Sequence, residues 1–205
     1  MILNSDAIVK KGTSQKLVNF LNKHEEVAVV GPKLLNMDGT PQANCGRFPN
    51  LFVSAVMLFL EHYGGRQMVR FSPAKSGYVD WLMGAAFMAR KAGFDKIGGF
   101  DEALFMYMEE VDWFYRLREA GMKAYFLKEA EIVHLGLGSS TSGKKEPILN
   151  IYRGLIHFYK KHYNFISLII LRVMLKLKAA AALLLGYLTG NRYLKETYEE
   201  AFKLA

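Results

Sequence analysis

The first 135 residues alternate short apolar runs with stretches of helical periodicity, the rhythm of an α/β domain. Ile2-Leu3 reads as the end of a strand. Thr13 or Ser14 is positioned to cap a helix in which Leu17, Val18, Phe20 and Leu21 keep near-helical spacing, and Val27-Ala28-Val29-Val30 follows as a buried strand, completing one β-α-β step. Asn36-Met37-Asp38-Gly39 supplies turn chemistry between Lys33-Leu34-Leu35 and Gln42-Ala43-Asn44, which predicts a hairpin. A helix is expected from Leu51 to Glu61. Gly84-Ala85-Ala86-Phe87-Met88-Ala89 is small and apolar, as a central strand packed against another backbone or a ligand would be. Gly98-Gly99-Phe100-Asp101 reads as a loop, and Glu109 to Ala120 as a helix with Val111, Phe114, Tyr115 and Leu117 on one face, ended by Gly121. Ala124-Tyr125-Phe126-Leu127 and Ile132-Val133-His134 read as two short strands, followed by a glycine- and serine-rich stretch from Gly136 to Gly143 that reads as a mobile loop.

At Pro147 the pattern changes to helices, Ile151 to Tyr163 and Phe165 to Leu188, so the expected division is 1–146 and 147–205. Arg172, Lys176 and Lys178 interrupt the second apolar run, and the uncharged stretch from Ala179 to Thr189 falls short of the roughly 20 residues that span a bilayer. A basic amphipathic helix lying in the membrane interface is expected, with a long helix packed on the domain, its Lys and Arg stems snorkelling, as the alternative.

Composition narrows the class. With 205 residues, 51% hydrophobic and 22% charged, the chain holds one ordinary domain with an appendage, which excludes a disordered tail, a collagen-like fibre and a disulfide scaffold. The lone Cys45 forms no internal disulfide and no secretory leader pattern follows Met1, so a reducing, cytoplasmic setting is expected. The net charge of +8 is lopsided, with nine Lys/Arg against three Glu from Ile151 to Ala205. An anionic membrane surface is the expected partner of that tail; a nucleic acid is not, because no reading motif accompanies the charge.

Three clusters can carry chemistry. Asn4-Ser5-Asp6 follows an apolar strand end, where open α/β sheets place ligands and an Asp can hold a divalent cation, though the same residues make ordinary turns. Asp101, Glu102, Glu109, Glu110 and Asp112 crowd five carboxylates around a helix start. Compensation of the helix dipole accounts for one or two of them, whereas mutual pKa elevation suits a general base that takes a proton from a hydroxyl. His134 ends a strand just before the glycine-rich loop, as a structural histidine or as a metal ligand. Ser139, Ser140 and Thr141, with Lys144 and Lys145 beyond, are either a surface loop or a set of groups that close over a diphosphate.

The order Leu3-Asn4-Ser5-Asp6, Val30-Gly31-Pro32-Lys33-Leu34, Asp38-Gly39, Val79-Asp80-Trp81-Leu82-Met83-Gly84-Ala85, Gly98-Gly99-Phe100-Asp101-Glu102, Glu109-Glu110-Val111-Asp112, Arg116-Leu117-Arg118 and His134 resembles family 2 glycosyltransferases, most of all their bacterial rhamnosyltransferase-type subgroup. The resemblance covers Met1 to about Tyr163. It implies an α/β fold, a partial GT-A (Rossmann-like) domain followed by C-terminal amphipathic helices. It also implies inverting transfer of a sugar, rhamnose being a candidate, from a nucleotide-sugar donor to a hydroxyl of a glycan or lipid-linked acceptor at the cytoplasmic face of the membrane. By the same likeness Asp6 ends a DxD-type motif and holds Mg or Mn with His134, while Asn4 takes the first motif position beside the donor diphosphate. Glu110, with Asp112 next on the same motif, is the base, where the family more often has Asp. Asp80, Trp81 and Gly84 line the acceptor side, and Asp101, Glu102 and Glu109 face the reaction centre. In the family the nucleotide-binding half precedes the metal motif, so the resemblance implies that this half is missing here. A non-catalytic glycan- or partner-binding module derived from such an enzyme is the alternative.

Overall fold

The computed structural model describes residues 1–136 and 145–205. In chain order the strands and α-helices are β1 (Ile2–Leu3), β2 (Ala7–Val9), α1 (Thr13–Lys23), β3 (Val27–Leu35), β4 (Pro41–Gln42), β5 (Cys45–Gly46), α2 (Leu51–Ala55), α3 (Arg66–Val69), β6 (Arg70–Phe71), β7 (Gly77–Val79), β8 (Trp81–Leu82), β9 (Ala86–Ala89), α4 (Lys91–Ile97), α5 (Glu109–Glu119), β10 (Lys123–His134), α6 (Lys145–His162), α7 (Phe165–Thr189) and α8 (Arg192–Leu204). They form two compact units with interleaved segments. The first takes Met1–Phe48, Gln67–Asp101 and 110–136, the second Pro49–Arg66, Glu102–Glu109 and 145–205.

The first unit is built on a seven-stranded mixed sheet of order β1-β9-β3-β10-β2, with β4 beside β3 and β7 beside β10. Only β10 and β3 run parallel; the other pairs are antiparallel. The nearly continuous apolar run of β3 is buried because a strand lies on each side of it and α1 packs across it through Leu17 and Leu21. The two strands expected at Ala124–Leu127 and Ile132–His134 are one. Lys128-Glu129-Ala130 falls at a register shift against β3, so the polar residues that look like a break in the sequence mark a bulge within β10. The β-α-β step also differs from expectation, since β2 follows β1 before α1 and β9 lies between β1 and β3. Thr13 does not cap α1 with its side chain; Gly12 holds the N-cap position at φ +81°, and the Thr13 hydroxyl donates to the Glu131 carbonyl at 2.8 Å.

The hairpin at residues 36–39 forms as expected, pairing Leu34 with Gln42 and Leu35 with Pro41. A second small sheet, β6-β5-β8, holds Trp81 over Gly46. A Cβ at Gly46 would stand 2.0 Å from the Trp81 ring, so only glycine admits the indole there. Cys45 on the same strand is buried, which pushes its thiol up to about 12 and leaves it unreactive. Helix α5 is more deeply enclosed than a one-face pattern implies, with Val111, Asp112, Trp113, Phe114, Tyr115 and Leu117 all buried. Trp113 stacks on Phe94 and Phe87, and Phe100 meets its edge, which fixes the helix at the centre of an aromatic cluster.

In the second unit, the helix expected over Leu51–Glu61 begins regularly, capped by Asn50, then widens to a π-turn over Val56–Leu60 and tightens to a 3₁₀ turn over Glu61–Tyr63. Pro147 lies inside the first turn of α6, where a missing N–H costs nothing, so the helix starts before the proline. Helix α7 buries Leu171, Leu175 and Ala179 along one stripe, and it packs with α6 and with α8, a helix not anticipated from the sequence. Arg172 donates to the main-chain oxygen of Ala205 at 3.0 Å, and Lys176 sits over the Phe202 ring. Two of the three basic residues that interrupt the apolar run are thus engaged, Lys176 by Phe202 of α8 and Arg172 by Ala205 just beyond it. Among the described residues no helix is long and apolar enough to cross a membrane.

Candidate active site

The pairing of β2 with β10 brings together residues from opposite ends of the sequence. His134, the last residue of β10, lies opposite Ala7, and the Leu135 amide donates to the Asp6 carbonyl at 3.0 Å. The intervening turn is held at its other end by the Asn4 amide, which donates to the Ala85 carbonyl at 2.9 Å. In consequence the His134 ring, only 5% exposed, presents Nε2 at 3.3 Å from Asp6 Oδ1 and 3.5 Å from Asn4 Nδ2. Its Nδ1 lies 2.7 Å from Gln42 Oε1, a residue that carried no signal in the sequence beyond its place in a hairpin.

A carboxylate oxygen and an imidazole nitrogen this close suit a hard divalent cation that takes its remaining ligands from a diphosphate and water. Among the described residues no group of three or more His, Cys, Asp or Glu side chains gathers at one point, so the protein's share of such a site is this pair.

The second cluster forms where α5 begins. Tyr107 and Met108 precede it with φ of +67° and +72°, two successive non-glycine residues in the left-handed region at about 1–3 kcal/mol each. A Cβ at Gly154 would come within 2.8 Å of Met108, so the bare backbone of α6 at Gly154 leaves room for that turn. Burial raises the Glu110 carboxyl above its ordinary value of 4.5, against the lowering pull of the N–H groups of Glu110 itself, Gly84 and Val111 and of the Arg70 charge. Glu110 Oε2 is buried without a hydrogen-bond partner, and so is Arg70 Nε. Gly84 and Ala85 therefore join the two clusters: the amide of one faces Glu110, and the carbonyl of the other holds Asn4. Arg70 was not visible as a site residue in the sequence, being a single Arg without a motif.

Asp112 differs from Glu110. It is fully buried, its Oδ2 accepts from Arg116 Nε at 2.8 Å, and Arg116 also donates to the Gly99 carbonyl at 2.8 Å. With Trp113 Nε1 on the Gly98 carbonyl at 2.9 Å, α5 clamps the glycine loop that leads to the half-buried Asp101.

Asp80 is exposed, and its carboxylate accepts from the Phe48 amide at 3.1 Å. Trp81 is 6% exposed with its indole N–H on the Arg47 carbonyl, so it supports that wall from behind and offers no open ring face. Glu102 and Glu109 belong to the second unit. Ser139, Ser140, Thr141 and Lys144 lie outside the described residues; Lys145 pairs with Glu200 at 2.8 Å.

A mixed α/β sheet of this kind, followed by C-terminal helices, fits a partial GT-A fold, and the chain belongs to the family described as Glycosyltransferase like family 2, whose model matches residues 1–148. It is 28% identical over 141 residues to an N-acetylglucosaminyl-diphospho-decaprenol L-rhamnosyltransferase of Mycobacterium tuberculosis, a match covering 65% of this chain and 46% of that protein. It is 34% identical over 56 residues to Rhamnosyltransferase WbbL of Escherichia coli (27% of this chain, 21% of the relative). It is 24% identical over 134 residues to a low-salt glycan biosynthesis hexosyltransferase, Agl10, of Haloferax volcanii (65% and 41%). The chain spans about half the length, or less, of the curated relatives it matches.

Proposed function

We propose that the protein moves a sugar, rhamnose in the first instance, from a nucleotide-sugar to a hydroxyl of a glycan or lipid-linked acceptor, inverting the anomeric centre, in the synthesis of a surface polysaccharide. The rhamnosyltransferase names of two relatives support the sugar, and the diphospho-decaprenol in one of those names supports a lipid-linked acceptor. The observation that carries the reading is Glu110: a carboxylate whose affinity for a proton is raised by burial, with one oxygen left without a hydrogen-bond partner. A group of that kind takes the acceptor proton as the hydroxyl attacks the anomeric carbon. The Gly84 N–H and the Arg70 charge favour its ionised form against burial, and Asp112 holds the Gly98-Gly99 loop in place rather than taking the proton.

Asp6 Oδ1 and His134 Nε2 would hold Mg or Mn, which when bound supplies positive charge to a departing diphosphate. The Asn4 amide, beside both, is within reach of the same phosphates. A transfer assay with a nucleotide-rhamnose and a polyprenyl-diphosphate-linked glycan, on the chain with the nucleotide-binding half that the family resemblance implies supplied in trans, checks the reading. Acceptor-dependent release of nucleoside diphosphate, abolished by chelation and restored by Mn, with an inverted product, is expected. Binding of the acceptor with no transfer under any metal condition would replace this reading with that of a binding module.

The same reading places the protein on the cytoplasmic membrane face through α7. The exposed Phe165, Ile166, Ile169, Ile170, Val173 and Leu177 support it, since such a run of apolar surface enters a headgroup layer at a gain of about 25 cal/mol per Å². Co-flotation with anionic liposomes is expected, and Ile166→Asp with Ile170→Asp should abolish it; unchanged flotation of the double variant removes α7 from the contact.

A further inference from the structure

The side of the His134 ring that carries the proton is determined by a chain of hydrogen bonds through the β3–β4 hairpin. The chain starts at Asp38, whose carboxylate only accepts. The Thr40 amide and hydroxyl both point at Asp38 Oδ1, at 2.9 and 2.6 Å, and together they hold that carboxyl below its ordinary range. Having spent its one proton on Asp38, the Thr40 hydroxyl can only accept from Asn36, at 2.9 Å. The Asn36 atom facing it is therefore the NH₂, and its other atom is the oxygen, which accepts from the Gln42 side chain at 3.0 Å. That makes the Gln42 atom facing Asn36 the NH₂, an assignment reinforced by the His134 backbone carbonyl 3.4 Å away, which also only accepts. The remaining Gln42 atom is then the oxygen, 2.7 Å from His134 Nδ1, and Nδ1 must donate to it.

We propose that Gln42 is a positioning residue which, through the hairpin relay Asp38–Thr40–Asn36–Gln42, holds a proton on His134 Nδ1, so that Nε2 is the ring nitrogen presented to Asp6. The Asn4 side-chain amide lies 3.5 Å from Nε2. The arrangement sets Nε2 and Asp6 Oδ1 3.3 Å apart, where one cation would take both as ligands. This part rests on the proposed cation site; the tautomer does not. It also gives Asp38-Gly39 a task, since the positive φ of Gly39 turns the hairpin so that Thr40 returns over Asp38.

The test reads the tautomer in the metal-free full chain at neutral pH by ¹⁵N correlation of the histidine ring, and Mn affinity separately by titration. Wild type is expected to show a proton on His134 Nδ1. Gln42→Leu should release the ring to the Nε2–H form, which can donate to Asp6, and weaken Mn binding by about 10–100-fold. Gln42→Glu, which still accepts from Nδ1, should keep the Nδ1 proton but lose stability, because it sets an oxygen against Asn36 Oδ1 and the His134 carbonyl. Thr40→Val, at an exposed position, removes the anchor without touching His134 and should give a mixture of tautomers. A wild-type ring protonated on Nε2 alone overturns the proposal, as does an Nδ1 proton that ignores both Gln42→Leu and Thr40→Val. The expected tautomers together with Mn affinity too weak to measure in wild type would uphold the relay and instead overturn the cation site.

Discussion

Glu110→Gln is expected to slow sugar transfer by about 10²–10⁴-fold, the usual contribution of a positioned base, and at the same time to raise the melting temperature at neutral pH. Both effects follow from one cause. Burial raises the Glu110 carboxyl above 4.5, so in the pH window between that value and the raised one the folded chain binds more protons than the unfolded chain. Stability therefore falls as pH rises through the window, and the deficit persists at pH 7. Glutamine occupies the same volume without the charge and removes the deficit, so the variant's gain in stability should vanish below about pH 4.5, where both states are protonated. The wild-type rate should rise with pH along a limb displaced upward from 4.5, and the variant should lack that limb. Asp112→Ala should behave oppositely. It leaves the partly buried Arg116 without its carboxylate and loosens the Gly98-Gly99 loop, at a cost in stability of about 3 kcal/mol. Thermal melts across pH beside initial rates separate the two residues; a Glu110→Gln chain that is as fast as wild type, or less stable at pH 7, would remove the base assignment.

What the sequence made legible was whatever local pattern encodes. The four residues Asn36–Gly39 announce their hairpin because a turn needs those residues at those places, and the structure keeps it. The α5 helix was legible from its acidic start and Gly121, and the polar clusters Asn4–Asp6, Glu109–Asp112 and His134 stood out as candidate chemistry. Which of them meet was not legible, since the approach of Asp6 to His134 is made by β2, a three-residue strand too short to give a periodic signal. The continuity of β10 was hidden by Lys128 and Glu129, which are polar because a bulge lets them leave the sheet. Arg70 and Gln42 escaped for a different reason. Each acts on one partner brought near by the fold, Glu110 for the first and His134 for the second, and a single long-range contact leaves no spacing to detect. The burial of Trp81 over Gly46 was likewise not legible, because it depends on a glycine of another strand.

The second large effect is expected at Asp6. Among the described residues, Asp6 is the one charged ligand offered to the proposed cation, and Asp6→Ala removes it. A bound metal is worth several kcal/mol to a leaving group that gains negative charge, and about 3 kcal/mol corresponds to a rate loss of about 100-fold, so a fall of at least that size is expected. The loss should not be compensated by raising Mn, and His134→Ala added to Asp6→Ala should cost little more, because both residues act on one ion and their effects are not independent. A stability readout makes the argument independent of turnover. Mn with a nucleoside diphosphate, at about 100 times its dissociation constant, should stabilise the wild-type chain by about 2.7 kcal/mol through binding to the folded state alone. Asp6→Ala should abolish that increment, while the backbone bonds from Asn4 to Ala85 and from Leu135 to Asp6, which do not use the carboxylate, still hold the turn. Equal ligand-induced stabilisation in the variant would mean that the cation is held elsewhere, and the facing pair of Asp6 and His134 would then be a structural contact of the β2–β10 edge.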